Sequence, residues 1–369
     1  MSPRYTIEEL TPHERRILEP HFTNLDGPVF ALTNLPEVVK GALFARYSRT
    51  TKSLRRLFLD EFAKDVTPDG VVSAVGQERA ERLYDRVFVE YGDDSVAQLG
   101  GVHLACEQAS QLLCKALEWG RLAAYLEQST RYMRYDDKPG GHWRATVPPE
   151  IAGTDLEASF EVFLDTVFEA YGRMYEPMDR FFRDSFPKDE ADSEFVYNQS
   201  IMAKTCDTLR VLLPAGTRSN LGIYATGQSY EQLLMRLNAH PLVEMREYGH
   251  LMLVELRKVI PAFLKRVDVP DRGIAWSNYW RDTQTGVDDA TKAATSGVPV
   301  QERNEVTLTD WDPDGELKVA AAVMYASSPL PDDQLLELGR AMSPQQRADL
   351  LRASVGDRAN RRHKPGRAW

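Results

Sequence analysis

The sequence reads as a mixed fold of many helices and a few short strands. Apolar residues recur at helical spacing over long segments between residues 155 and 266, whereas strand-like runs are few and short. Gly- and Pro-bearing turns separate the two kinds of segment. The 369 residues suffice for one large domain or two ordinary ones, and an apolar content of 43% supports a sizeable core. A charged content of 27% is normal for a soluble globular chain. The net charge of −10 argues against a general nucleic-acid coat, so a phosphate ligand would need a local cluster of Arg and Lys.

Residues 1–28 read as a polar, irregular extension. Val29–Thr33 is a short apolar run, a candidate strand. Asn34 can cap a following helix and Pro36 fits its first turn, which predicts a helix to about Ser48. A second helix is expected over Gln77–Tyr91, stopped by Gly92, with a turn or cap at Asp93–Ser95. In the apolar stretch Val96–Leu126, Gly100-Gly101 points to a short strand, then a helix from about Glu107 to Trp119, ended by Gly120. Tyr135–Pro149 is loop by its Gly and Pro content. Asp155–Phe186 and Ser193–Leu213 are amphipathic helices. Gly216–Gly227 reads as a turn plus a short strand, and Ser229–Arg266 as two helices broken at Ala239-His240-Pro241. Residues 270–304 show no clear period and read as a linker.

Three cysteines, Cys106, Cys114 and Cys206, are too few for a disulfide framework, and none sits in a CxxC pair. Cys106 and Cys114 read more readily as core than as reactive thiols. No two of His103, His142, His240 and His250 fall at a metal-binding spacing, and no metal is expected. The longest apolar runs are far short of a membrane span, and the charged N-terminus lacks a signal peptide's apolar stretch, so a cytoplasmic protein is expected. P-loop, nucleophile-elbow and GxGxxG patterns are absent from the sequence.

The C-terminal residues echo an earlier segment. LTNLPEVVKGALFARYS at Leu32–Ser48 has a counterpart in LTDWDPDGELKVAAAVMYAS at Leu308–Ser327, and Tyr91-Gly92-Asp93 one in Val355-Gly356-Asp357. Generic turn chemistry accounts for this as readily as a repeat does. As a repeat, it would make residues 305–369 a partial second copy or a C-terminal module.

The segment richest in chemistry is Ala116–Tyr135, ALEWGRLAAYLEQSTRYMRY. Guanidinium forks match phosphate oxygens, and the interleaved Tyr125, Tyr132 and Tyr135 offer stacking faces. Composition alone fits a solvated helix end with snorkelling arginines at least as well. The basic run Arg46–Arg56 reads as a solvated helix face.

Spacing adds what composition lacks. Trp119-Gly120-Arg121, seven residues, Ser129 and then Arg131-Tyr132 resembles the signature of the flavin-dependent thymidylate synthases: Arg-His-Arg, seven residues, Ser, then Arg-Tyr. Glu127, Ser129, Arg131 and Tyr132 match; Trp119 and Gly120 stand where that family has Arg and His, and Leu126 where it often has Asn. Arg210-Val-Leu-Leu-Pro214 is similar to a later family segment, as are Arg236, His240, Glu244 and Tyr248 in their spacing, and Ala45-Arg46-Tyr47-Ser48. The resemblance spans roughly residues 29–267, within a domain placed at 29–269.

The resemblance implies the α+β class, with helices packed on a small, mainly antiparallel sheet, and sites formed between subunits of a homo-oligomer. It implies that Ser129, Arg131, Glu127, Arg210 and Arg236 bind deoxyuridine monophosphate, with Arg121, Ser48, Arg46 and Trp119 towards FAD. The activity implied is reductive methylation to thymidine monophosphate, with methylenetetrahydrofolate and NADPH as co-substrates. Trp119 and Gly120 remove up to two positive charges beside the flavin. Either flavin binds differently, or this is a catalytically silent nucleotide-binding or structural copy.

Overall fold

A computed structural model describes residues 8–27, 30–47, 52–65, 100–360 and 363. The expected helix over Gln77–Tyr91, the turn at Asp93–Ser95, the strand start at Val29, and Ser48 lie outside these residues. The chain divides into two compact units, Met1–Ala294 and Thr295–Trp369.

Capping side chains set most helix starts. The hydroxyls of Thr11, Ser53, Ser110, Thr154, Ser193 and Thr226 accept backbone N–H groups that the first helical turn cannot satisfy itself. They open α1 (Pro12–Leu18), α3 (Leu54–Glu61), α4 (Gln111–Leu117), α5 (Asp155–Ser185), α6 (Glu194–Leu209) and α7 (Gly227–Ala239). Helix α2 (Glu37–Tyr47) starts one residue after Pro36 rather than with it in the first turn, and the expected cap Asn34 instead donates its side-chain amide to the Pro20 carbonyl at 2.9 Å; α8 (Val243–Leu256) follows the break at His240-Pro241.

Three strands form one antiparallel sheet: β1 (Gly101–Ser110), β2 (Ala123–Glu127) and, between them, β3 (Arg218–Thr226). The α+β architecture expected from the sequence is therefore the one observed. Alternation along β3 buries Ser219, Leu221, Ile223 and Ala225 and leaves Asn220, Gly222 and Tyr224 on the open face. The buried face meets α7 and α8, and one core joins it to α1–α3. A second core, built on Tyr135, Phe168, Tyr171 and Cys206, packs α5 against α6.

Four further expectations change. The N-terminal segment is not irregular: α1 carries a Thr11–Glu14 capping box, and Leu18, Phe22 and Leu25 enter the core. Among the described residues, the run ending at Thr33 forms the isolated bridge Phe22–Leu32 and no longer strand. β1 extends to Ser110, so α4 is shorter than expected, and β2 lies where only an apolar run was read. Residues 270–304 contain α9 (Gly273–Thr295). Only Gly273 and Ser277 of that helix are buried, so no apolar period marks it in the sequence.

The C-terminal unit holds α10 (Gly315–Tyr325), α11 (Asp332–Ala341) and α12 (Pro344–Val355). α10 and α2 have equal length, and both bury their third, sixth and seventh residues: Leu317, Ala320 and Ala321 against Val39, Ala42 and Leu43.

His21 is buried beside Phe58, with ring centroids 5.1 Å apart. Burial holds its pKa below the ordinary value, so the folded state keeps it neutral. The unfolded chain takes up the proton first as pH falls below about 6.5, and stability is lost from there down to the folded pKa. The slope is at most about 1.4 kcal/mol per pH unit. Urea unfolding at pH 7.5 and 5.5 should show a smaller loss in His21→Phe than in the parent; equal losses would remove His21 from the acid response.

Candidate functional site

The junction of β1 and α4 anchors the region. Ser110 ends the strand and caps the helix, and its hydroxyl donates to Glu244 Oε2 at 2.6 Å. Tyr248 donates its phenol to the Glu107 carbonyl at 2.7 Å, and His240 Nδ1 accepts from Leu242 N at 3.1 Å. His240, Glu244 and Tyr248, spaced as the resemblance requires, thus fix α8 to β1 and shape its start.

After β2 the chain turns. Gln128 N donates to Asn220 O, and Arg131 N donates to the Ser129 hydroxyl at 3.3 Å. Glu127 accepts from Gln111 Nε2 at 2.8 Å and Lys115 Nζ at 2.9 Å, so the rest of the protein already engages its carboxylate. The turn carries Arg131 to α6, where Nε lies 3.4 Å from Asp207 Oδ1. Nη2 of Arg210 lies 2.9 Å from the same oxygen. The structure therefore brings Arg131 and Arg210 together, 79 positions apart in sequence (210 − 131).

Beside them lies a cavity of about 430 Å³ lined by Gln111, Thr130, Asp207, Arg210 and Thr217, among others. Thr217 is fully buried, and its hydroxyl has no hydrogen-bond partner among the described residues. Arg210 lines the cavity, Arg131 shares its carboxylate partner, and two guanidiniums with nearby hydroxyls are the donors a phosphate needs in an acidic protein.

Arg121 and Arg236 meet elsewhere, in a cleft of about 350 Å³ with Gly120, Tyr125, Gln228 and Ser229. Neither guanidinium has an ion pair among the described residues. Tyr125 donates its hydroxyl to the Gly120 carbonyl at 2.9 Å. A Cβ at Gly120 would sit 3.1 Å from that hydroxyl, close enough to crowd it, and 3.7 Å from Arg236 Nη2, an ordinary contact. Trp119 is 78% exposed, and Arg46 pairs with Glu61 at 3.0 Å. Arg236 thus sits with Arg121 and apart from the Arg131–Arg210 pair.

The sequence profile of the thymidylate synthase complementing protein family matches residues 42–262, a span that holds the sheet, α4 to α8 and both arginine pairs. The chain belongs to the thymidylate synthase complementing protein family. It is also similar to UPF0159 proteins, 36% identical over 367 residues to that of Chlamydia pneumoniae, covering 98% of this chain and 69% of the relative. Identity to the Chlamydia muridarum protein is 36% over 370 residues, covering 97% of this chain and 69% of the relative. A Thermoplasma acidophilum relative is 30% identical over 249 residues, covering 61% of this chain and 48% of the relative.

Flavin is the cofactor known for this family. The Arg121–Arg236 cleft matches a phosphate-bearing end of a flavin dinucleotide in charge, since its two cations have no ion pair among the described residues. It is too small for the whole cofactor, because drug-sized ligands alone fill roughly 300–1,000 Å³. Arg121 and Arg236 would hold that end.

Burial pushes the Cys106 thiol up to about 11 and Cys114 up to about 12, so both stay protonated at neutral pH and pack as core. Among the described residues no cluster of His, Cys, Asp and Glu could hold a metal ion, and no helix is long and apolar enough to cross a membrane.

Sequence reasoning missed a cavity of about 870 Å³ between the start of β3, the bulge of β1 and the loop 138–147. The bulge falls between Cys106 and Ala109 and places Gln108 at φ 57°, left-handed backbone that a glutamine rarely adopts. Arg218 faces this cavity, with its Nε 3.3 Å from Thr146 Oγ1 and no ion pair among the described residues. Thr217 and Arg218 are consecutive and line different cavities. Thr217 lies just before β3 and Arg218 begins it, and the bulge beside the larger cavity leaves no mark in the sequence.

Proposed function

We propose that this chain binds deoxyuridine monophosphate and acts in its reductive methylation to thymidine monophosphate, with methylenetetrahydrofolate and NADPH as co-substrates and FAD as cofactor. The observation that carries this reading is the convergence of Arg131 and Arg210 on one carboxylate beside a cavity that also holds a buried, unpaired hydroxyl. Arg131 and Arg210 hold the phosphate. Arg121 and Arg236 present uncompensated positive charge to the cofactor's anionic part. FAD, when bound, supplies the redox step. A homo-oligomer would complete the cofactor site, since one chain's cleft holds only part of a dinucleotide.

A second reading, a silent nucleotide-binding copy, is favoured by the exposure of Trp119 and by Gly120, which leave Arg121 as the only cation of that triplet. Visible absorbance separates the two. The purified protein should hold little flavin. Added FAD should produce a bound-flavin band that shifts when deoxyuridine monophosphate follows. Nucleotide binding without any FAD uptake would establish the silent copy, and uptake of neither would refute both.

A further inference from the structure

The two phosphate-grip arginines are already bound, and to the same atom. Arg131 Nε and Arg210 Nη2 lie 3.4 and 2.9 Å from Asp207 Oδ1. One anionic oxygen shared by two guanidiniums is also what a phosphate oxygen would offer them. All three side chains are partly exposed, at 48% for Arg131, 47% for Arg210 and 40% for Asp207. Asp207 sits in the last turn of α6, where it can turn to solvent without breaking a backbone bond. The cavity beside it contains a feature that Asp207 leaves unsatisfied. Thr217 is fully buried, its hydroxyl has no partner among the described residues, and it lines the same cavity as Asp207, Arg210 and Thr130. An unmade hydrogen bond of this kind is expensive in a folded protein, and because Thr217 has no exposed surface in the empty site, an acceptor reaches it only if the cavity wall shifts on binding.

Resting on the reading that this cavity takes the nucleotide's phosphate, we infer that Asp207 is an internal competitor for the substrate phosphate. It neutralises Arg131 and Arg210 in the empty site and must leave them when nucleotide enters. No bond is made or broken in this exchange: one anion replaces another on the same two guanidiniums. The exchange favours a doubly charged phosphate monoester, which outcompetes a carboxylate where a singly charged anion does not. Asp207 is a gating residue and touches no reacting atom. Without it, the two arginines would face each other uncompensated, and weaker anions would occupy them.

The test is a calorimetric titration of the full-length protein with deoxyuridine monophosphate and, separately, with inorganic phosphate at pH 7.5 and fixed ionic strength. Asp207→Asn, which keeps the size and removes the charge, should tighten both by roughly tenfold. Thr217→Val, which keeps the shape and removes the hydroxyl, should weaken both while leaving the unfolding temperature unchanged or raised. Weaker or unchanged binding in Asp207→Asn, with binding by the parent intact, would mean that Asp207 orients the arginines. That result overturns the competitor and leaves the phosphate site standing. No binding by parent or variant would overturn the site reading and the competitor with it.

Discussion

Arg131→Ala is expected to reduce binding of deoxyuridine monophosphate below calorimetric detection. A hydrogen bond to a charged group contributes about 1.5–3 kcal/mol, roughly a tenfold to more than hundredfold change in affinity. Loss of Arg131 also leaves Asp207 paired with Arg210 alone, so the remaining grip carries no net positive charge. An anion then has nothing to gain from entering. Arg210→Ala should have a similar effect for the same reason. Arg134→Ala is the matched control. Arg134 is three residues away and also cationic, but it pairs with Asp136 and lies 3.7 Å over the Tyr175 ring, committed to the second core. It should bind nucleotide like the parent. Equal affinity in Arg131→Ala and the parent would place the phosphate elsewhere. The Arg121–Arg236 cleft, tested by Arg236→Ala, would then be the site to examine.

The helices were legible because their starts are chemical. Thr154, Ser193 and Thr226 stand where a cap is needed, and the apolar period follows. The sheet was much less so. β2 is five residues inside a longer apolar run, and β3, the central strand, lies in the segment Gly216–Gly227, whose flanking Gly and Thr left room for only a short strand beside a turn. β3 tolerates Gly222 because that residue lies on the open face, where no side chain is needed for packing. Helix α9 escaped notice because its surface is almost all solvated. The N-terminal capping box at Thr11 and Glu14 was readable and shows how a strong local signal can be lost in a polar segment.

The candidate site divides in the same way. Motif spacing selected Ser129, Arg131, Arg210 and Arg236, but spacing says nothing of which arginine faces which. Arg131 meets Arg210 only because α6 delivers Asp207 to the turn after β2. Arg236 meets Arg121 only because α7 lies under the sheet edge where β2 begins. The resemblance grouped Arg236 with the nucleotide and Arg121 with the flavin. Their shared cleft puts one cation from each group side by side, so the structure does not keep the two groups apart.

The largest stability effect is expected at Phe263, far from either arginine pair in sequence. Its ring is fully buried, in the 3-10 turn Pro261–Leu264, and fills the space where side chains at Gly100 and Gly227 would stand. A Cβ at either glycine would come within 2.7 Å of a ring carbon. Those glycines flank the start of β1 and the start of α7, and Gly227 N donates to the Gly100 carbonyl at 2.9 Å. The ring thus packs directly on two backbones. Phe263→Ala should cost about 3–5 kcal/mol in urea unfolding. Gly227→Ala should cost about 1–3 kcal/mol by overpacking, although alanine is the better helix former. The double variant should lose less than the two together, because the new methyl enters the space left by the ring. Additive losses would mean that ring and backbone are not in contact. The consequence for function lies along α7: Arg236 is nine residues beyond Gly227 (236 − 227), about 13 Å along the helix axis. A helix that shifts at its first residue to relieve a crowded ring moves that guanidinium relative to Arg121. Gly227→Ala should therefore also weaken FAD uptake at temperatures where the protein remains folded.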